Sequence, residues 1–231
     1  MENLSNFTIE IIFLVITLAI TLGAQWYVNH CYNITKKISN NRNITGAETA
    51  RKILNKNGLT NVKVEETVGI LSDHYDPRSK VVKLSPEIYE GTSIASVSVA
   101  AHECGHAIQD KNNYFFLRLR STIIPLVNFA SYAGYIVIMI GAIMQALNII
   151  WLGIILVACI LLFQLITLPV EFNASSRALK QIKEEGILGT NELVESRKML
   201  TAAALTYVAS VAAAILEILR LVLIYTHNDR D

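Results

Sequence analysis

The five residues His102-Glu103-Cys104-Gly105-His106 put two imidazoles four positions apart, with a carboxylate beside the first. On a helix, positions four apart share a face, so both rings can offer a nitrogen to one metal ion. Imidazole suits Zn²⁺. Glu103 is placed to act as general base, taking the proton of a water that attacks a carbonyl. The spacing therefore predicts zinc-assisted hydrolysis. Gly105 inside the motif costs roughly 1 kcal/mol of helix propensity against alanine, which implies a neighbouring segment or substrate that approaches closely. Cys104 faces away from the ligand stripe and reads as packing.

A catalytic zinc site takes a third protein ligand and keeps one position open. His30, His74, His227 and several carboxylates remain as candidates. Glu171 stands out among them. It follows an apolar run, just after Pro169, where proline favours a helix start. Ala174, Ser175 and Ala178 share its helical face and leave room for tight packing. The residues alone leave Glu171 open as either a ligand or a simple interfacial carboxylate.

The elements that must position these groups divide the chain in five. Apolar residues make up 52% and charged residues 17%, against roughly a quarter charged in an average soluble domain. Four apolar stretches, at 7–28, 121–144, 147–168 and 200–224, are long enough or nearly so to cross about 30 Å of hydrocarbon. The first lacks a basic leader and a small-residue cleavage site, so it reads as an uncleaved anchor. An uncharged turn joins the second and third into a helical hairpin. The predicted organisation is an anchor in 1–30, a soluble catalytic segment in 31–120, the hairpin in 121–168, a helical segment in 169–199 carrying Glu171, and a last span with its tail in 200–231.

Lysine and arginine set the orientation. None precedes the first span. Lys36, Lys37, Arg42, Arg51, Lys52 and Lys56 follow it, Arg118 and Arg120 flank the second, and Arg177, Lys180 and Lys183 follow the third. This predicts an outside amino terminus and a cytoplasmic site, in a multi-pass protein of the bilayer. Glu217 and Arg220, three apart in the last span, are expected to pair. The net charge of +1 points to no nucleic-acid partner. Cys31, Cys104 and Cys159 are too scattered for a disulfide framework or a thiolate zinc site.

Within the soluble segment, 45–58 reads as a helix capped by Thr45, with Glu48 three residues on and Asn57-Gly58 at its end. Short alternating runs at 62–65 and 80–84, with the turn signal Asp73-His74-Tyr75-Asp76-Pro77 between them, predict a small antiparallel sheet. A helix over 93–110 then carries the HExxH motif.

At these residues the chain resembles a known family. The stretch LSDHYDPRSKVVKLSPEIYEGTSIASVSVAAHECGHAIQ, with LPVEFNASSRAL further on, closely resembles the bacterial neutral zinc metallopeptidase family of YugP-type membrane peptidases. The likeness runs over nearly the whole chain. A more distant similarity is to HtpX-like membrane metalloproteases, which place a glutamate ligand after a transmembrane hairpin in a Glu-x-x-Ala-Asp pattern. Carried over, the resemblance implies Glu171 as third zinc ligand and Ala174 as the alanine. Ser175 stands where that group has aspartate, the residue that would orient a zinc-bound histidine; Asn173 is a possible substitute. It also implies that the strand near 79–84 offers a free edge to an extended polypeptide, with His74 or Tyr75 steadying the oxyanion.

The resulting expectation is a mainly α membrane protein, with about four transmembrane helices and a small cytoplasmic α+β metalloprotease element. It would hydrolyse membrane or misfolded polypeptides as an endopeptidase. Three rivals remain: a non-catalytic zinc-binding membrane scaffold, which would have no need of Glu103; an intramembrane metalloprotease, which the polar run Asp110-Lys111-Asn112-Asn113 after the motif disfavours; and a transporter using Glu217 and Arg220, for which the spans show no paired broken helices.

Overall fold

The structure is a computed structural model. It describes residues 2–69 and 72–227, with side chains over 8–226 of that range. The chain forms two compact units. One holds Leu119–Leu168 and the described parts of Met1–Gln25 and Thr206–Asp231; the other holds Trp26–Arg118 and Pro169–Leu205.

The long helices are α1 (Glu2–Thr35), α5 (Phe115–Ile143), α6 (Leu147–Glu184) and α7 (Thr190–His227). Among the described residues these four are long and apolar enough to cross a membrane. Each extends past its apolar run. The most consequential extension is in α6, which continues through Pro169 to Glu184. Pro169 therefore starts no new helix. A proline in a helix interior removes one backbone hydrogen bond, and the long apolar and amphipathic stretches on either side carry the helix through it. In the first unit, Ile138, Ile150, Ile154, Val157 and Leu221 form the packed core. Gly134 and Gly153 let α5 and α6 close up: a Cβ on Gly153 would lie 2.8 Å from the Gly134 carbonyl oxygen, the small-residue packing expected where lipid supplies no hydrophobic drive. Arg220 donates to both Glu217 oxygens, at 2.9 and 2.7 Å, as the spacing predicts.

The second unit is built around α4 (Ile94–Lys111). Its small side chains Ala95, Ala100, Ala101, Cys104 and Ala107 are fully buried or nearly so, packed with Ile53 and Leu54 of α2 (Gly46–Lys56) and with Ala178 and Ile182 of α6. Thr45 and Glu48 form the capping box that their spacing predicts, and Gly58 takes the left-handed conformation that ends the helix. Sequence reasoning missed α3 (Pro86–Glu90), a short turn of helix opened by Pro86.

The sheet differs from expectation. It has three strands, β1 (Lys63–Glu66), β2 (His74–Asp76) and β3 (Val81–Leu84), in the order β1-β3-β2. The expected turn signal at 73–77 holds a strand of its own. That strand reverses the chain once more, so β1 and β3 run parallel, while β2 and β3 form the antiparallel hairpin. β3 lies between two neighbours and offers no free edge; the free edges belong to β1 and β2.

Candidate metal centre

α4 presents His102 and His106 on one face, and α6 lies against that face with Glu171. Glu171 Oε2 stands 3.3 Å from His102 Nε2 and 3.6 Å from His106 Nε2. The three ligand atoms lie within 4.8 Å of one another, and the glutamate side chain is only 4% exposed. Donors about 2.0–2.1 Å from a tetrahedral ion are separated by about 3.3 Å, so the 3.3 and 3.6 Å separations suit a shared metal.

Gly105 explains how the helices come this close. A Cβ there would fall 2.5 Å from the carbonyl oxygen of Ala174, so α4 and α6 touch backbone to backbone one turn from the ligands. Ala174 and Ala178 are completely buried in the same seam.

The hydrogen bonds behind the histidines fix which nitrogen faces the glutamate. The Val170 carbonyl can only accept, so the group that reaches it at 2.8 Å is the Gln109 amide nitrogen. The other end of that amide, Oε1, therefore faces His106 Nδ1 at 3.0 Å. His106 must donate from Nδ1, which leaves a lone pair on Nε2 in the neutral ring. His102 Nδ1 lies 3.1 Å from Ser175 Oγ. The His106 lone pair aimed at a buried carboxylate is repelled by it unless a proton or a cation lies between; the Ser175 hydroxyl can donate to or accept from His102 Nδ1, so His102 can present either a lone pair or a proton at Nε2. Burial works against a charged His106, but hydrogen bonding to Glu171 and the charge of Glu103 outweigh it and raise its pKa above the ordinary value. The donor set thus fits a divalent cation of the kind imidazole and carboxylate bind.

Asn173 sits one step further back. Its Oδ1 accepts from Gln109 Nε2 at 3.0 Å and from Arg177 Nε at 2.7 Å, so it holds Gln109 rather than a histidine. Sequence reasoning missed Gln109, although its place three residues after His106 puts it on the same helical face. Glu103 is 8% exposed, and among the described residues its carboxylate has no hydrogen-bond or ion-pair partner. Cys104 is buried, with its thiol directed at the Ala50 carbonyl oxygen, and burial pushes that thiol up.

The remaining candidates lie on β2. His74 is exposed, with Nδ1 2.7 Å from the Ser72 carbonyl oxygen. Tyr75 donates to Asp110 at 2.7 Å, and burial together with that bond pushes its phenol up. Lys80 also pairs with Asp110, fastening the β2–β3 hairpin to the end of α4. These bonds bring neither His74 nor Tyr75 to the histidine pair.

Residues 10–226 match the family model described as "Putative neutral zinc metallopeptidase". The chain is 48% identical over 221 residues to a Bacillus subtilis (strain 168) protein described as "Putative membrane protease YugP", covering 95% of this chain and 98% of that one. No solved structure matches it. With a family model spanning nearly its whole length and a relative at that identity, the chain belongs to the neutral zinc metallopeptidase family.

Proposed function

We propose that this protein is a multi-pass membrane zinc endopeptidase in which His102, His106 and Glu171 hold the ion and Glu103 is the general base. The observation that carries the reading is the convergence of two Nε2 atoms on one Glu171 oxygen at 3.3 and 3.6 Å. Zinc bound there supplies Lewis acidity, which acidifies a water and polarises the scissile carbonyl. Glu103, one residue from His102 and unclaimed by any described partner, takes the proton of the attacking water and then delivers it to the leaving amine. Gln109 and Ser175 hold the two rings so that Nε2 stays aimed at Glu171. His74 on β2 is the better candidate for a substrate contact, because Tyr75 already gives its hydroxyl proton to Asp110.

The lysine and arginine distribution supports a cytoplasmic site, and the four apolar helices support a polypeptide substrate met at or near the bilayer, whether a membrane protein or a misfolded chain. The intramembrane alternative has less support: α4 spans Ile94–Lys111 within the second unit and is none of the four apolar helices.

The test is hydrolysis of a labelled unfolded polypeptide by the detergent-purified protein. Activity that is lost on chelation, restored by zinc and absent in Glu103→Gln supports the assignment. Equal hydrolysis by wild type and Glu103→Gln contradicts it.

A further inference from the structure

Gln109 is completely buried, so water cannot serve its amide and the protein must satisfy every part of it. The nitrogen carries two hydrogens and meets two acceptors, the Val170 carbonyl at 2.8 Å and Asn173 Oδ1 at 3.0 Å. The oxygen accepts from His106 Nδ1 at 3.0 Å. This arrangement holds only while Asn173 presents its oxygen. An asparagine amide can turn over and offer NH₂ instead, with little change of shape. A reversed Asn173 would set its own N–H groups against those of Gln109 and would favour a reversed Gln109. The Gln109 NH₂ would then point at His106 Nδ1. That ring would have to carry its proton on Nε2, the atom aimed at Glu171.

Arg177 decides between the two states. It lies four residues after Asn173, on the same face of α6, and its Nε donates to Asn173 Oδ1 at 2.7 Å. A guanidinium only donates, so it tolerates an oxygen opposite it and not an NH₂. Among the described residues Arg177 makes no other hydrogen bond and no ion pair. Its position is therefore not explained by a carboxylate partner; its one bond goes to the amide that orients Gln109.

We propose that Arg177 is a positioning residue of the metal centre: by keeping the Asn173 oxygen turned toward Gln109, it holds His106 in the form that leaves Nε2 free for zinc. The proposal rests on the zinc reading above and extends the support of that site three hydrogen bonds behind His106, through Gln109 and Asn173 to Arg177.

The sign of the effect separates this role from that of a nearby charge. A cation close to a zinc site repels the ion, so its removal alone would tighten binding. Losing a support behind a ligating histidine weakens binding, commonly by about 10–100-fold when the lost group touches the ring. Arg177 acts through two intermediaries, so its loss belongs at or just below the lower end of that range.

The test measures zinc affinity of the full-length protein in mild detergent by competition with a chelator. Arg177→Met should bind zinc about five- to tenfold more weakly than wild type, with helix content unchanged. Asn173→Asp supplies the rescue, because both carboxylate oxygens accept and nothing is left for Arg177 to orient. In that background Arg177→Met should cost less than about twofold. Binding by Arg177→Met within twofold of wild type, or tighter, overturns the proposal. So does an equal loss in both backgrounds, which would make Arg177 a packing residue. The two levels fail differently: a wild type that binds no zinc sinks the zinc reading and the proposal with it, whereas a wild type that binds zinc beside an unaffected Arg177→Met sinks the proposal alone.

Discussion

Replacing Gly105 by alanine tests the seam on which the site depends. Alanine should favour α4 by roughly 1 kcal/mol of helix propensity. Its methyl would meet the Ala174 carbonyl oxygen at 2.5 Å, whereas ordinary contact begins near 3.4 Å, so α4 and α6 must part locally by about 0.9 Å. Overpacking of this kind costs about 1–3 kcal/mol, leaving a net destabilisation of about 0–2 kcal/mol, or a few degrees in Tm for a chain of this size. The effect on metal binding is larger. Glu171 lies three residues before Ala174 and moves with it, while ligand distances tolerate only about 0.2 Å. We expect Gly105→Ala to fold with near-normal helix content and to bind zinc at least tenfold more weakly, so that zinc raises its Tm much less than that of the wild type. Zinc titration against a chelator, followed by thermal unfolding with and without zinc, reads both. A variant that is more stable than wild type and binds zinc within twofold of it would refute the reasoning.

Removing the amide behind His106 should loosen that ring: Gln109→Leu is expected to lower zinc affinity by about 10–100-fold, read by competition with a chelator. Ser175→Asp, which would bring a charged acceptor to the side of His102 Nδ1 that the Ser175 hydroxyl now contacts, should tighten zinc binding, and Ser175→Ala should weaken it, by the same assay. Acid should oppose the metal. His106 has its pKa raised above the ordinary 6.5 in the metal-free fold, so its protonation stabilises that fold fully below about 6.5 and the contribution fades as pH rises through the raised value. Tm in chelator should therefore fall from pH 6 to pH 8, while the rise in Tm on adding zinc should grow over the same range, since zinc must displace that proton.

How far the sequence led depended on the range of the interactions. The HExxH helix, the α2 capping box and the Glu217–Arg220 pair were legible because each is settled within one helical turn. Gly105 signalled a close neighbour, and the geometry supplies it as Ala174. The sheet was misread because β2 is only three residues long, too short for alternation to register, and its extra reversal makes β1 and β3 parallel. The same error gave β3 an edge it does not have. Pro169 suggested a break, yet α6 runs through it, because packing over 38 residues outweighs one missing N–H. Gln109 went unseen because its acceptor, the Val170 carbonyl, lies 61 residues away and only the fold brings them together.

The central claim is that α4 and α6 jointly hold one zinc ion, and zinc per chain in detergent-purified protein tests it most directly. The account predicts close to one zinc in wild type and in Glu103→Gln, and loss of zinc in Glu171→Ala with helix content retained. No zinc in the wild type after loading at neutral pH, or full zinc in Glu171→Ala, would contradict it.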